Sequence, residues 1–167
     1  QVPSDPEDRT ATEEAKASIV PSEEEQEAVT SSLEAGREWV ADFIGLQVVR
    51  YPHQEWFPYY HGKALTWAKR YDEARGVLMR VARMKQSQFW VWGSLADLYS
   101  DKPRVQIALL ARAFVCPVEE DKYLNGIRRQ IQNLVSQYPE FGPMDEHELA
   151  REAEELLLAA LLAQDAS

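Results

Sequence analysis

Phe89-Trp90-Val91-Trp92-Gly93-Ser94-Leu95-Ala96-Asp97-Leu98-Tyr99 is the stretch on which the fold turns. Trp92, Leu95, Ala96 and Tyr99 fall at positions i, i+3, i+4 and i+7, so they share one face of a helix. On that face the small Ala96 sits among large residues. A small side chain lets a second helix approach closely, while its large neighbours fill the groove around the contact. Thirty-four residues upstream Gly62 takes the small position and Leu65 a large one. Tyr71-Asp72-Glu73-Ala74 then opens a returning helix, with Ala74, Leu78 and Val81 as its packing residues.

The pattern W-x2-L-A-x2-Y resembles the first-helix signature of the tetratricopeptide repeat, with Ala96 where that family usually has Gly. The resemblance implies an all-α fold of antiparallel helix pairs, stacked as a short right-handed superhelix. It departs from the family at Pro58 and His61, which stand where Trp and Leu are expected. In the second repeat the returning helix comes one or two residues early, which gives Leu110 and Ala113 the packing roles. A third repeat is suggested by Ile127, Ile131 and Leu134, answered by Leu149, Ala153 and Leu156. A narrower resemblance lies in Trp56-Phe57-Pro58-Tyr59-Tyr60, in Lys63-Ala64-Leu65 and in Phe89 to Ala96. These look like the helical-repeat region of prokaryotic conflict-system proteins of the TOTE type. That likeness implies a helper role in defence beside a nucleic-acid-binding barrel, and no such barrel accompanies it in this sequence.

Working outward, the spacing predicts seven helices. The first starts at Ser22, where Ser22 and Glu25 make a capping box and Glu23 and Glu24 suit the positive helix end. Val29, Leu33, Val40, Phe43 and Ile44 recur at roughly helical spacing with Trp39 beside them; Gly45 reads as a stop, and the apolar Leu46 to Val49 beyond it either prolong the helix or lead into a turn near Pro52. The others are expected over 55–69, 71–84, 88–99, 103–114, 119–136 and 145–162. Pro58 and Pro103 fall in first turns, where a missing amide hydrogen is tolerated. Nothing alternates with the two-residue period of a strand. Residues 1–21 read as a disordered acidic leader, because Pro3, Pro6 and Pro21 punctuate a stretch with almost no large apolar residues. The repeat domain is expected over 22–163, with a short tail at 164–167. A chain that opens on Gln1 rather than Met fits a piece of a longer protein.

Charge divides the chain in three. Residues 1–48 carry a balance of −9, residues 49–138 one of +6, and residues 139–167 one of −7. The middle is therefore basic between acidic ends. It either offers anionic partners a surface or is simply solvated. The lone cysteine, Cys116, excludes an internal disulfide and fits a reducing, cytoplasmic setting. No apolar run reaches the ~18–20 residues of a membrane span, which argues against a membrane role.

Two candidate surfaces follow. Tyr51, Trp56, Phe57, Tyr59, Tyr60, Trp67, Trp90 and Trp92 fall within 42 residues. If the first helix of each pair lines a concave face, the tetratricopeptide resemblance places Trp56, Tyr59, Lys63 and Trp67 there, joined by Trp90 and Asp97. Aromatics beside a lysine suit a protein or peptide partner. The alternative is that the helix beginning at Ser22 folds over this groove and covers it. The second surface is basic: Arg70, Arg75, Arg80, Arg83 and Lys85, with Arg128 and Arg129 further on. It would serve a nucleic-acid-associated subunit, or it is a solvated outer face. His53, His61 and His147 lack the neighbours of a metal set, Cys116 reads as a small buried residue, and no catalytic motif is present. The expected function is thus a non-catalytic scaffold without a cofactor or metal. Leu156–Leu158 and Leu161–Leu162 widen the apolar face of the last helix. That suggests either a stack that continues into another domain or subunit, or a packed cap with Leu158 and Leu162 exposed.

Overall fold

The computed structural model describes residues 20–143 and 145–166, and these are all-α with no strand among them. The leader expected over 1–21 lies, apart from Val20 and Pro21, outside the described residues. Helix α1 spans Glu23–Arg50, α2 Phe57–Trp67, α3 Tyr71–Met84, α4 Phe89–Ala96, α5 Pro103–Phe114, α6 Asn125–Gln137 and α7 Glu146–Asp165.

The expected start of α1 is present. The Glu25 amide donates to Ser22 Oγ at 3.2 Å and the Ser22 amide to Glu25 Oε2 at 2.9 Å. Of the two readings at Gly45, the structure has the prolonged helix: α1 runs on through Leu46 to Arg50, and Gly45 serves a different purpose. A Cβ at this position would stand 2.9 Å from His61 Nε2, so the glycine lets α1 close onto α2. The apolar stripe of α1 is divided between core and solvent. Val40 and Ile44 pack inward around the fully buried Ala41, but Val29, Leu33, Trp39 and Phe43 are exposed.

Helices α2 and α3 form an antiparallel pair. Lys85, just past α3, returns to Glu55, just before α2, with Nζ to Oε2 at 3.0 Å. At their contact Gly62 lies against the buried Leu78, where an added Cβ would be 2.5 Å from Leu78 Cδ2. The turn between them is a tight helix stop. Lys69 takes a left-handed backbone (φ 61°), the Arg70 amide donates to Leu65 O at 2.9 Å, and the Lys69 amide to Thr66 O at 3.0 Å. These two bonds satisfy carbonyls that the end of a helix would otherwise leave open.

Helices α4 and α5 form the second pair, with Pro103 at the first position of α5. Trp92, Leu95 and Ala96 are buried as the spacing requires. The Trp92 indole N–H donates to Gln86 O at 2.9 Å, so this ring is core rather than surface. α4 is shorter than predicted, because residues 97–99 tighten into a 3-10 turn. α6 is shortened likewise by a 3-10 turn over Asp121–Leu124, ahead of Asn125 and Gly126, the two poor helix formers of the segment.

The third pair does not close. α6 and α7 both pack on α5 and hardly on each other. α6 sets Ile127 against Gly93 of α4, while α7 crosses α5 with Ala153 and the alanines of α5 buried. It then continues to α3, where Gln164 lies beside Gly76. Leu149, Leu157 and Leu161 make its inner face; Leu156, expected inside, is exposed with Leu158 and Leu162. Arg104 pairs with Glu152 at 3.0 Å, and Arg112 Nε lies 2.6 Å from Glu154 Oε1, an ion contact without hydrogen-bond alignment. The small residues of α5 explain the crossing, since a helix settles where backbones can approach. α7 also extends through Gln164 and Asp165, residues assigned by sequence to a tail.

Candidate functional site

The first turn of α2 and the start of α4 bring three aromatic rings together. Trp56 stands at the N-cap of α2, with its ring centroid 5.0 Å from that of Trp90. The Tyr59 ring meets Trp90 edge-on at 4.5 Å, and Tyr60 meets Tyr59 at 5.7 Å. Such edge-to-face contacts place the positive ring edge on a negative face. Hydrogen bonds fix the arrangement. Tyr59 Oη and Ser94 Oγ are 3.2 Å apart, and the Ser94 hydroxyl donates to Trp90 O at 2.9 Å. Lys85 Nζ sits 4.1 Å from the Trp56 centroid, a cation over an aromatic face. Trp56 keeps 37 % of its surface exposed and Tyr60 is exposed as well, so the cluster is firmly held yet reachable.

One helical turn beyond Tyr60, Lys63 is exposed on α2 near Asp97 at the end of α4. Desolvation raises the Asp97 carboxyl above its ordinary value although its outer edge meets solvent, and the Lys63 ammonium pulls it back down. The pair borders the aromatic cluster with opposite charges.

Trp67 does not belong to this group. Three turns along α2, its ring lies under the Arg37 guanidinium of α1, 5.1 Å from centroid to carbon. Glu34, Glu38, Ala68 and Lys69 complete a cavity of about 180 Å³ around it. Five of the six proposed partner-binding residues are thus gathered where α2 meets α4, and Trp67 belongs to the α1–α2 contact. α1 leaves Trp56 and Tyr60 uncovered; its packed half lies against α2 instead.

The basic surface is broken up. Arg70 is held by three carboxylates: Asp42 at 2.6 Å, Glu73 at 2.7 Å and Glu38 at 3.4 Å. Arg75 donates to Leu98 O at 2.8 Å through Nη2 and at 3.1 Å through Nε, and pairs with Asp72 at 2.7 Å, tying α3 to the end of α4. Lys85 is taken by Glu55 and Trp56. Among the described residues only Arg80 and Arg83 of the five are exposed and without an ion pair. Asp72 and Glu73 lie three residues from their arginines, whereas Glu38, Asp42 and Glu55 come from about thirty residues away, so a run of bases in one segment overstates its free charge.

Cys116 is buried, accepts from Arg112 Nη1 at 3.2 Å and lies 3.5 Å from Gln86 O. Burial pushes its thiol up, with Arg112 opposing, so the reactive thiolate is disfavoured. A cavity of about 550 Å³ lies elsewhere, between the start of α5, residues 140–143 and α7. Its wall carries Glu140, Asp145, Glu148, Glu152 and Glu155 with Arg104 and Arg151. It is an open charged basin, without the mostly apolar lining of a small-molecule site. Trp39, Phe43 and Leu46 form an exposed ridge on α1, of which the sequence showed the apolar character but not the exposure. Its signal was available in the alternating four- and three-residue spacing of Gly36, Trp39, Phe43 and Leu46.

Residues 55–144 match a family described as a domain of unknown function, DUF7017. No curated protein and no solved structure matches the chain. The matched segment runs from the approach to α2 to the end of the turn after α6, and leaves α1 and α7 as flanking additions. It spans more than half of the 167 residues, and the chain therefore belongs to the DUF7017 family.

Proposed function

We propose that this domain is a non-catalytic, cytoplasmic scaffold that binds a protein or peptide partner on the aromatic face of α2 and α4. In the tetratricopeptide-like reading this face is the concave one. The observation that carries the proposal is the Trp56–Tyr59–Trp90 cluster, held by hydrogen bonds and still open to solvent. Rigid, half-exposed aromatics give contact area with little side-chain entropy left to lose, which is why they dominate binding hot spots. Lys63 and Asp97 would set the partner's direction across the floor. A nucleic-acid-associated role draws less support, because Arg70, Arg75 and Lys85 are already neutralised within the fold.

The experiment is capture from a lysate of the source organism by the wild-type domain at low and physiological salt, with Trp56→Ala and Arg80→Glu/Arg83→Glu alongside. The proposal expects a protein retained at both salts, lost with Trp56→Ala and kept with the Arg variant. Nucleic acid retained only at low salt, and lost with the Arg variant, would replace it with the nucleic-acid role.

A further inference from the structure

α1 is longer than the rest of the molecule uses. Every residue from Glu23 to Gly36 is exposed, and α1 meets the body chiefly through its second half, against α2 and Arg70, with Glu34 at the edge of the Trp67 cavity. A helix segment of that length without tertiary contacts is marginal in water. Yet this segment begins with a complete capping box, and an apolar ridge leads out of it along one side. Val29, Trp39, Phe43 and Leu46 are all exposed on that ridge, Trp39 at 64 % and Leu46 at 67 %, and the Trp39 and Phe43 rings stack at 5.2 Å.

The ridge follows alternate steps of four and three residues from Glu25 to Arg50, the spacing of a two-helix seam. Laid antiparallel on itself about a point between residues 37 and 38, it is self-complementary at every step. Gly36 falls opposite Trp39, Ser32 opposite Phe43, Val29 opposite Leu46, and Glu25 opposite Arg50. Of the flanking positions, Ala28 meets Val49, while Val40 is taken up by the body. Small residues thus face large ones, and an acid faces a base. The parallel arrangement would set Trp39 on Trp39, Glu25 on Glu25 and Arg50 on Arg50. Gly36 is not used by any contact among the described residues. It sits in mid-helix, where glycine is unfavourable, and a Cβ there would meet nothing within 4 Å.

We propose that α1 is a homodimerisation helix, with a second copy of this chain seated antiparallel on the ridge so that Trp39 of each copy packs over Gly36 of the other. The body attaches to the opposite side of the second half of α1, which leaves the seam open along its length. A seam of this length, about 39 Å at 1.5 Å per residue and ~10 Å wide, covers on the order of 400 Å² per copy. That is roughly half a standard interface, so the dimer is expected to dissociate in the micromolar range.

Sedimentation velocity of the full chain between roughly 1 and 200 μM tests this, with an expected shift from monomer to dimer mass. Gly36→Leu should weaken association by more than about tenfold while leaving the melting temperature of the dilute protein unchanged or higher, because Leu is the better helix former. Ser32→Phe and Phe43→Ser should each weaken it several-fold, and the double variant should restore it, because the two positions face each other across the seam; this readout is specific to the register. A monomer at every concentration, a dimer indifferent to Gly36→Leu, or a Ser32/Phe43 double variant no better than the single ones would each overturn the proposal.

Discussion

Gly62→Ala gives the sharpest view of how the repeat packs. In most exposed helix interiors this change is stabilising by about 1 kcal/mol, because alanine restricts the unfolded chain and favours the helix. At Gly62 the new methyl would stand 2.5 Å from Leu78 Cδ2 and 2.6 Å from Leu78 Cγ. Leu78 is completely buried between the two helices and has no free direction in which to withdraw. Overpacking of this kind costs about 1–3 kcal/mol. Set against the propensity gain, the expected net effect is destabilisation by about 0–2 kcal/mol. For a domain of this size that is a fall in melting temperature of up to roughly 6 °C. Gly36→Ala is the internal control. It adds the same methyl to open space, so in dilute solution it should stabilise by about 0.5–1 kcal/mol. Urea denaturation of both variants, with the m-value checked for constancy, reads the two effects directly. If Gly62→Ala stabilised as much as Gly36→Ala, the close approach of α2 and α3 at this point would be refuted.

Lys69 holds a left-handed backbone conformation that favours glycine, so Lys69→Gly should stabilise the α2–α3 turn by about 0.5–1 kcal/mol in the same denaturation assay. His61 should make the α1–α2 contact acid-sensitive. Its imidazole packs on Gly45, and burial first, then the charge of Arg70, lower its pKa below 6.5 against the opposing pull of Glu73 and Asp42. The unfolded chain therefore takes up this proton first, so the stabilisation is full above about pH 6.5 and is lost as pH falls toward the folded value. Melting temperatures measured from pH 7.5 to 5.5 should fall, and His61→Gln should flatten that slope.

What could be read from the sequence was what short-range chemistry decides. Ser22 and Glu25 announced the start of α1, Pro58 and Pro103 their helix starts, and the Trp92–Tyr99 face its burial. Gly45 left the end of α1 open, because a glycine at a helix end and a glycine at a helix crossing look alike until the neighbouring helix is in place. The ridge of Trp39 and Phe43 was recognised as apolar, but periodicity cannot say which partner an apolar face meets. The turn of α7 across α5 rested on alanines of another helix, and the neutralisation of Arg70 on carboxylates of α1, thirty residues away. The nearness of Trp56, Tyr59 and Trp90 was legible, but the place of Trp67 was not, because its neighbour Arg37 is likewise supplied by α1.

The most direct test of the scaffold reading is the affinity of the purified captured partner for the wild-type domain against Trp56→Ala, by titration calorimetry with circular dichroism confirming the fold. The account expects a loss of about thirtyfold or more, the size of a hot-spot truncation of about 2 kcal/mol. An unchanged affinity in a fully folded variant would contradict it.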